Sequence, residues 1–383
     1  MHVCVVGGGI VGLASAYYLA DRGASVTLLE KGTLGAGSTD RAVGGIRAQF
    51  SSPENVDLSL AAMAVWDDFE AEFGTAIEHR RPGYLFLART EEVADALREA
   101  AEMQRDKGVP TETLSPADLG ARWPALHTER YLVGTYSATD GFADPHLAVQ
   151  GFSAAARETG VDIRTKTAVT DLPRKEGRVV GVETEYGPVD ADHVVYATGW
   201  RTRDLLAEHV ELPVRPMRWN AVVVEPTEPL PETCPLGSEG ESRTYWRPTA
   251  RGDVLIGGNE HLLADPEGTP MGVDGSFRDL VFEEVAPLLR GVAEGRLRRE
   301  DCCPTADSAS PDGLPIVDAP TEAPDGLVAV TGLHGRGVML SPVVGRTVRS
   351  LVTGEAAPFP VDPLRLDRFE DRSADFEYLS HWD

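Results

Sequence analysis

Three glycines and one acid near the start of the sequence have the spacing of a dinucleotide site. Gly7, Gly9 and Gly12 form a G-x-G-x-x-G run. The first glycine permits a tight turn, the second lets the backbone approach a pyrophosphate, and the third lets a helix pack close to a strand. Glu30 follows Gly12 by 18 positions, where a carboxylate accepts from ribose hydroxyls and repels a 2′-phosphate. This chemistry fits a dinucleotide other than NADP; the alternative is a glycine-rich turn in some other α/β domain.

A strand–turn–helix–strand unit has to position these residues, and the sequence predicts one. Residues 3–6 are apolar and suit a buried strand, residues 13–22 suit a helix that Gly23 stops, and residues 26–29 suit a second strand ending at Glu30. The N-terminus of such a helix offers free N–H groups and a positive dipole end to phosphates.

Two later segments also end strands in small residues. Residues 193–196 form an apolar run that leads into Ala197, Thr198 and Gly199, where a cofactor can lie against the backbone. Residues 325–332 predict another strand, followed by a glycine turn and a helix over 341–352. The alternative for this second turn is a strand–helix connection without a ligand.

The predicted elements imply an α/β fold of two domains. A discontinuous, Rossmann-like nucleotide domain occupies residues 1–78, 140–212 and 305–365. An inserted domain with an antiparallel β-sheet on the substrate side occupies residues 79–139 and 213–304, and residues 366–383 form a C-terminal tail over the surface.

The composition limits the function. The 383 residues carry 36 basic and 61 acidic side chains, a formal charge of −25, which disfavours nucleic acid and anionic lipid as partners. This acidity suits either a very salty cytoplasm, a halophilic setting, or an ordinary acidic protein; stability that rises with molar salt would favour the first. No apolar run is long enough for a membrane span, and nothing resembles a secretion signal, so a cytoplasmic location is expected.

The four cysteines do not have the spacing of a metal site. Cys4, Cys234, Cys302 and Cys303 form no C-x-x-C pair and have no paired histidine, so zinc is not expected. Cys4 lies in the first predicted strand and is expected to be a small buried side chain.

The combined motifs resemble the D-amino-acid oxidase family of FAD-dependent oxidoreductases, in its branch of glycine oxidases and sarcosine oxidase β-subunits. The likeness covers nearly the whole chain. The motifs that carry it are Val5–Gly12, Glu30-Lys31, Gly37-Ser38-Thr39, Gly44-Gly45-Ile46-Arg47, Tyr196-Ala197-Thr198-Gly199, Pro311-Asp312-Gly313-Leu314-Pro315-Ile316 and the segment 332–342.

The resemblance implies an FAD stretched across the nucleotide domain. The glycine turn before the last helix would then place N–H groups and a positive dipole end against a reduced flavin. The implied cofactor-binding residues are Gly7, Gly9, Ile10, Val11, Gly12, Glu30, Lys31, Gly37, Ser38, Thr39, Gly44, Gly45, Ile46, Val169, Ala197, Thr198, Gly199, Trp200, Gly313, Gly335, Arg336, Gly337, Val338 and Met339.

Four residues become candidate catalytic residues through the resemblance. Family substrates are held by a carboxylate, and the planar fork of an arginine pairs both carboxylate oxygens. Arg47 falls at the anchoring position, with an aromatic residue three positions on, and Arg336 lies in the second glycine turn. Together they would suit a substrate with two carboxylates; a surface or phosphate contact for Arg47, or an ion pair outside the site for Arg336, is the alternative. Tyr245 would roof the substrate or pack as an ordinary aromatic residue, and His334 would handle a proton or, as we favour, have a structural role.

The sequence departs from the family at two points. Sarcosine oxidases place a lysine over the flavin, which promotes reaction with oxygen. None of the four lysines here lies after Lys175, and the matching strand reads Val254-Leu255-Ile256-Gly257. A dehydrogenase with a non-oxygen electron acceptor, a partner subunit among the candidates, is therefore expected. Cys302 and Cys303 lie too far upstream to match the cysteine that binds flavin covalently, so free thiols are favoured, with a bond at either left open.

The implied reaction oxidises the C–N bond of an amino acid or of an N-methyl or other secondary amino acid. Hydride passes to flavin N5, and the resulting iminium hydrolyses. Two alternatives stay open: a flavin-dependent 2-hydroxy-acid dehydrogenase, for which His334 would be the base, and a flavoprotein assembly partner without turnover.

Overall fold

The computed structural model describes residues 1–249, 251–269 and 272–377, with the backbone alone for 301–306. Its α-helices are α1 (Ile10–Ala20), α2 (Pro53–Asp67), α3 (Phe69–Phe73), α4 (Glu91–Asp106), α5 (Pro116–Arg122), α6 (Pro145–Glu158), α7 (Thr202–Leu205), α8 (Gly275–Leu280) and α9 (Gly337–Thr353). Its strands are β1 (His2–Val6), β2 (Ser25–Leu29), β3 (Gly45–Ile46), β4 (Tyr84–Ala88), β5 (Glu112–Leu114), β6 (Val133–Ser137), β7 (Gly141–Phe142), β8 (Asp162–Arg164), β9 (Val169–Asp171), β10 (Arg174–Lys175), β11 (Arg178–Val179), β12 (Gly181–Thr184), β13 (Gly187–Asp190), β14 (His193–Tyr196), β15 (Arg215–Glu225), β16 (Leu236–Glu239), β17 (Thr244–Pro248), β18 (Val254–Leu262), β19 (Arg296–Ala309), β20 (Ile316–Asp318) and β21 (Leu327–Thr331).

A six-stranded sheet carries both glycine turns. Its order is β20-β21-β14-β1-β2-β8, with every pair parallel except β20–β21. Strands β1, β14 and β21 are largely apolar and buried, as expected in a parallel sheet that is covered on both faces. Their carboxyl ends lie at one edge, which brings the segments after β1, β14 and β21 together. This edge is where ligands bind in such sheets.

Helices α1 and α9 pack side by side against this sheet. A Cβ on Gly345 would lie 2.8 Å from the backbone carbon of Ala14, so glycine is what allows the two helices to approach so closely. Because α1 follows β1 and α9 follows the loop after β21, their N-termini lie at the same sheet edge.

The second sheet has eight strands in the order β19-β15-β18-β17-β16-β4-β6-β5 and is antiparallel except for the pair β4–β16. That parallel pair joins two stretches of chain that are more than 100 residues apart. Side chains alternate across the sheet: Leu85 and Leu87 enter a core with Trp246 on one face, while Tyr84 and Phe86 point to the other face.

Both helices at the glycine turns begin earlier than the sequence predicts. Helix α1 begins at Ile10 rather than 13, and α9 begins at Gly337 rather than 341. Each therefore starts within its glycine run, so that the free N–H groups of the first turn belong to the glycine segment itself.

Other elements depend on local features. Helix α8 ends at Leu280, and the chain continues as a π-helical turn and a 3₁₀ turn. Strand β19 was not predicted because its charged residues show no apolar alternation, as expected at a sheet edge. Helix α5 was also missed, although Ser115 and Asp118 form a capping box and Pro116 occupies its first position.

The remaining sequence expectations concern Cys4, membrane spans, metal sites and the C-terminal tail. Cys4 is fully buried with a free thiol, as predicted, and burial raises its pKa to about 12. Over the described ranges, no helix has the length and apolar character needed to cross a membrane. The same ranges contain no group of three or more His, Cys, Asp or Glu that could hold a metal ion. Residues 378–383 of the predicted tail lie outside the described part of the chain.

Candidate active site

The first glycine bend joins β1 to α1 and is determined by backbone contacts. Gly7 has φ +110°, and a Cβ there would lie 2.5 Å from the carbonyl oxygen of Ala197. A Cβ on Gly12 would lie 2.0 Å from the carbonyl oxygen of Gly7. No side chain fits at either position. Gly9 is the N-cap of α1 and has no side-chain cap, so N–H groups of the first turn of α1 face outward.

Glu30 is attached to this bend. Its two carboxylate oxygens accept from the N–H groups of Gly8 and Gly32, each at 2.7 Å. A carboxylate has about four lone-pair sites, so acceptor capacity remains for ribose hydroxyls. The N–H of Thr167 donates to the Glu30 carbonyl at 2.9 Å, which brings the segment leading to Val169 beside it. Lys31 is exposed.

The loop after Glu30 returns to the helix N-terminus. The N–H of Ile10 donates to Thr39 Oγ1 at 3.3 Å, and residues Ser38–Arg41 form a 3₁₀ turn capped by Gly37. Gly44 has φ +73°, and a Cβ there would lie 2.0 Å from the Ala143 carbonyl oxygen. The chain then enters β3, which pairs with β7.

The segment after β14 lies between the two bends. Gly199 has φ +63°, and its carbonyl accepts from Thr331 Oγ1 at 3.2 Å. The hydroxyls of Thr198 and Thr202 lie 2.9 Å apart. Trp200 is buried beneath the Arg201 guanidinium, whose carbon lies 4.1 Å from its ring centroid.

The second glycine bend joins β21 to α9. Gly335 has φ +73°, and a Cβ there would lie 3.2 Å from the ring of Trp219. Its N–H donates to Asp307 Oδ2 at 2.5 Å. Asp307 is 8% exposed, and burial raises its pKa to about 6, against the opposing effect of its hydrogen bonds and of Arg336. Neither Asp307 nor Trp219 was predicted from the sequence as part of the site.

The two bends are neighbours, and together they fit a dinucleotide. A Cβ on Gly337 would lie 3.9 Å from Val11 Cγ2, so the first turns of α9 and α1 are adjacent. Added Cβ atoms on Gly37, Gly45 and Gly199 would meet nothing within 4 Å, which leaves open space along the backbone. Ile10, Val11, Ile46, Ala197, Val338 and Met339 are buried, so each would contribute backbone rather than side chain to a ligand.

Arg47 lies in an aromatic enclosure beside the second bend. Its guanidinium carbon is 4.0 Å from the ring centroid of Phe50, 5.4 Å from that of Tyr84 and 5.0 Å from that of Phe86. The backbone N–H of Arg47 donates to the sulfur of Met339, in the first turn of α9, at 3.5 Å. Burial lowers the pKa of Arg47, although the guanidinium stays protonated. The aromatic residue three positions after Arg47 thus contacts it, together with two rings from β4.

Asp140 holds the backbone that carries Arg47. It is fully buried and accepts from the N–H of Ala48 at 3.1 Å, from the N–H of Gln49 at 3.4 Å and from the Gln49 side chain at 3.2 Å. Burial raises its pKa to about 6, although these hydrogen bonds and Arg47 act in the opposite direction. Asp140 was missed because a single acid before a Gly–Phe pair has no distinctive pattern.

Arg336 cross-links three segments at the start of α9. Its guanidinium donates to Asn55 Oδ1, in the first turn of α2, and to the carbonyl of Gly313. Its guanidinium carbon lies 5.4 Å from the ring centroid of Phe50, the ring that Arg47 also covers. The structure therefore places the two arginines around one aromatic side chain, with at least two of the five donors of Arg336 engaged by the protein.

Tyr245 lies on the sheet face that carries Tyr84 and Phe86. It pairs with Gly257 across β17 and β18, and a Cβ on Gly257 would lie 2.2 Å from its ring. Its ring centroid is 6.1 Å from that of Trp219 in an edge-to-face arrangement. Because Trp219 contacts Gly335, Tyr245 connects through one side chain to the second glycine bend.

Three further predicted residues have the following surroundings. His334 is 2% exposed with φ +50°, and its Nε2 lies 2.9 Å from the Ser310 nitrogen and 3.1 Å from the Ser310 carbonyl oxygen. Cys302 and Cys303 pair through their backbones with Asn220 and Trp219, while their side chains lie outside the described part of the structure. Covalent attachment at either stays a prediction.

The chain is similar to known proteins over nearly its whole length. Residues 2–351 match the family described as DAO, FAD dependent oxidoreductase. Over 99% of its length the chain is 27% identical to 4-methylaminobutanoate oxidase (formaldehyde-forming) of Paenarthrobacter nicotinovorans, of which it covers 47%. It is 29% identical to glycine oxidase of Geobacillus kaustophilus, with 96% of each chain covered.

The solved structures show the same fold over the whole chain. L-proline dehydrogenase from P. horikoshii superimposes with a TM-score of 0.86 at 27% identity, covering 96% of this chain and 98% of that one. The chain spans about half the length of the first curated relatives it matches, 47% and 44%. From the family match and the shared fold, the chain belongs to the DAO family of FAD-dependent oxidoreductases.

Proposed function

We propose that this chain binds FAD across the two glycine bends and oxidises the C–N bond of an amino acid or of an N-methyl or other secondary amino acid. The observation that carries the proposal is the position of Arg47, whose guanidinium is enclosed by three aromatic rings while its backbone contacts the first turn of α9. A carboxylate paired with Arg47 would hold the adjacent C–N bond beside the second bend. Bound FAD supplies the acceptor for the two electrons and the hydrogen of that bond.

The chain's own residues position and desolvate the substrate. Tyr84, Phe86 and Tyr245 form an apolar wall on one sheet face that excludes water, which strengthens the pairing of Arg47 with a carboxylate. The first turn of α9 directs N–H groups toward charge that develops at the bend. We assign the cofactor to the six-stranded sheet and the substrate to the eight-stranded sheet, along the domain division predicted from the sequence.

The activities named for the relatives support this substrate class. They include glycine oxidase, 4-methylaminobutanoate oxidase and L-proline dehydrogenase. The 2-hydroxy-acid alternative needs a base, and the nitrogen Nε2 of its candidate, His334, lies within hydrogen-bond distance of both the backbone nitrogen and the carbonyl oxygen of Ser310. Because hydride transfer from a neutral amine needs no strong base at this position, the geometry favours the amine.

Anaerobic titration tests the proposal. The purified protein should be yellow, and secondary or N-methyl amino acids should bleach its visible flavin absorption without oxygen. The panel should contain compounds with one and with two carboxylates, because Arg47 and Arg336 both contact Phe50. Bleaching by 2-hydroxy acids alone would contradict the amine reaction and support a 2-hydroxy-acid dehydrogenase. Bound FAD that no substrate reduces would support a flavoprotein assembly partner without turnover.

We further propose that the enzyme is a cytoplasmic dehydrogenase whose electrons pass to an acceptor other than oxygen. Lys107 pairs with Asp57, Lys31 is exposed, and no lysine follows Lys175. The substrate-reduced protein should therefore react slowly with dissolved oxygen and rapidly with an artificial electron acceptor. Fast reoxidation by oxygen alone would contradict this part of the proposal.

We also propose a high-salt setting, from the formal charge of −25. Unfolding measured across molar salt concentrations tests it, and stability should rise with salt.

A further inference from the structure

A cavity of about 440 Å³ lies beside the C-terminal ends of helices α1 and α9, away from the two glycine bends. Tyr18 and Arg22 line it from the end of α1, and Arg346 and Arg349 line it from the last turns of α9. At 1.5 Å per helical residue, Arg346 and Arg349 lie about 14 and 18 Å from the start of α9. The cavity is therefore separate from the two glycine bends, and the activity proposed above makes no use of it.

The floor of the cavity contains a buried donor that lacks a hydrogen-bond partner among the described residues. Arg349 is 8% exposed, and its buried Nε makes no hydrogen bond. The carboxylate of Glu355 lies 3.9 Å from that nitrogen, beyond hydrogen-bond reach. Tyr18 is 3% exposed, and the Arg346 side chain hydrogen-bonds its hydroxyl. Buried polar groups are nearly always satisfied, so the unpaired Nε of Arg349 points to a ligand in the cavity.

The basic groups of the cavity lie deeper than its acidic groups. The floor carries the donors, with the Arg346 guanidinium carbon 5.2 Å from the ring centroid of Tyr18. The acids that face the cavity, Asp21 and Glu72, are exposed, and Glu355 at its edge is 52% exposed. Exposed charges are screened by water and salt, whereas buried ones are screened much less. A ligand on the floor therefore experiences the arginines more strongly than the acids, within a chain of net charge −25.

We propose that this cavity binds a small molecule through an oxyanion group, a carboxylate or a phosphate. The oxyanion pairs with the guanidinium groups of Arg346 and Arg349, which suit it as planar, charged donors, and accepts from the hydroxyl of Tyr18. The volume lies within the range of small-ligand pockets, about 300 to 1,000 Å³.

The test uses the full chain with its flavin and measures binding by calorimetry together with the thermal unfolding midpoint. Inorganic phosphate and acetate are the two probes, each compared with chloride at equal ionic strength. At least one probe should bind saturably and raise the midpoint. The preferred probe distinguishes phosphate from carboxylate ligands. No saturable binding of either probe would overturn the proposal.

Substitutions inside and outside the cavity show where the probe binds. Arg349→Ala should weaken the affinity at least tenfold, and Tyr18→Phe, which keeps the ring, should weaken it less. Arg98→Ala removes a 42% exposed arginine on α4 and should leave binding unchanged. Arg47→Ala removes the proposed substrate anchor, which acetate can also occupy, and should leave the binding of phosphate in the cavity unchanged. This variant separates the cavity from the substrate anchor. If Arg349→Ala does not fold, Tyr18→Phe and Arg349→Lys still test the assignment. Binding that is equal in the cavity variants and the native chain would show a general salt effect and refute it.

Discussion

The two glycine bends are alike in sequence and differ in what surrounds them. At the first bend an added Cβ meets backbone, 2.5 Å away for Gly7 and 2.0 Å for Gly12. At the second bend it meets side chains, the Trp219 ring at 3.2 Å for Gly335 and the Leu333 side chain at 3.2 Å for Gly337. Backbone cannot move aside without unpairing the sheet, whereas a side chain can adjust. The first bend is therefore fixed by backbone contacts within and beside the parallel sheet, and the second by the packing of side chains.

The acids of the two bends follow the same division. Glu30 comes from the neighbouring strand of the same βαβ unit and bonds to the first bend through Gly8. Asp307 comes from β19, the edge strand of the other sheet, and bonds to the second bend through Gly335. The second bend thus couples the two sheets, and a change in the substrate sheet can reach it.

The largest effect is expected from Gly12→Ala. Its Cβ would lie 2.0 Å from the Gly7 carbonyl oxygen, so the helix N-terminus must shift away from the ligand. We expect FAD affinity to fall at least about 1,000-fold, or about 4 kcal/mol, measured by flavin absorption after dialysis. Gly337→Ala is the matched control and should retain its flavin within a few-fold. Stoichiometric flavin in the Gly12→Ala protein would remove the distinction between the bends.

Truncation of Arg47 is expected to have the next largest effect. Arg47→Ala should lower kcat/KM about 100-fold, or about 3 kcal/mol, through loss of a buried charge-assisted pair. The kcat/KM of Arg47→Lys should lie between that of the native protein and that of Arg47→Ala, because lysine keeps the positive charge but lacks the planar fork of donors. Arg336→Ala should instead act mainly on stability. It should lower the thermal unfolding midpoint and change KM little, because the donors of Arg336 hold Asn55 and Gly313. Steady-state kinetics and thermal unfolding separate the outcomes, and an unchanged kcat/KM in Arg47→Ala would contradict the anchor.

Asp307 should give the second bend a pH dependence. Its folded pKa, raised to about 6 from 3.8, means that its stabilising contribution is complete below about pH 4 and is lost as the pH rises through 6. The contribution amounts to about 3 kcal/mol at most. Asp307→Asn should flatten this component of the free energy of unfolding, measured with urea between about pH 4 and pH 7. Identical pH profiles for the two proteins would count against the buried, raised carboxyl.

The smallest effect is expected from Glu30→Gln at the first bend. The amide can still accept from one backbone N–H but loses the charge and one acceptor position. We expect FAD affinity to fall about tenfold, or about 1.4 kcal/mol. Fluorescence titration of the apoprotein with FAD measures it. An effect as large as that of Gly12→Ala would mean that the acid, rather than the backbone, dominates the first bend.

Much of the fold could be predicted from the sequence because its signals are local. The run Gly7–Gly12, the flanking strands and Glu30 lie within 30 residues, so spacing alone specifies their geometry. The aromatic contact of Arg47 with Phe50 is local as well. The parallel pairing of β4 with β16 could not be predicted, because a strand's sequence does not identify a partner more than 100 residues away.

The sequence by itself determined the glycine turns, the apolar central strands and the acidic surface, since each follows from conformational freedom, hydropathy or charge within a short segment. Only the tertiary structure decided which side chains meet at the second bend. Asp307, Trp219 and Arg336 come from separate segments and are brought together by the packing of the two sheets. Burial then raised the pKa values of Asp140 and Asp307 to about 6, because desolvation depends on the whole surrounding protein rather than on neighbours in the chain.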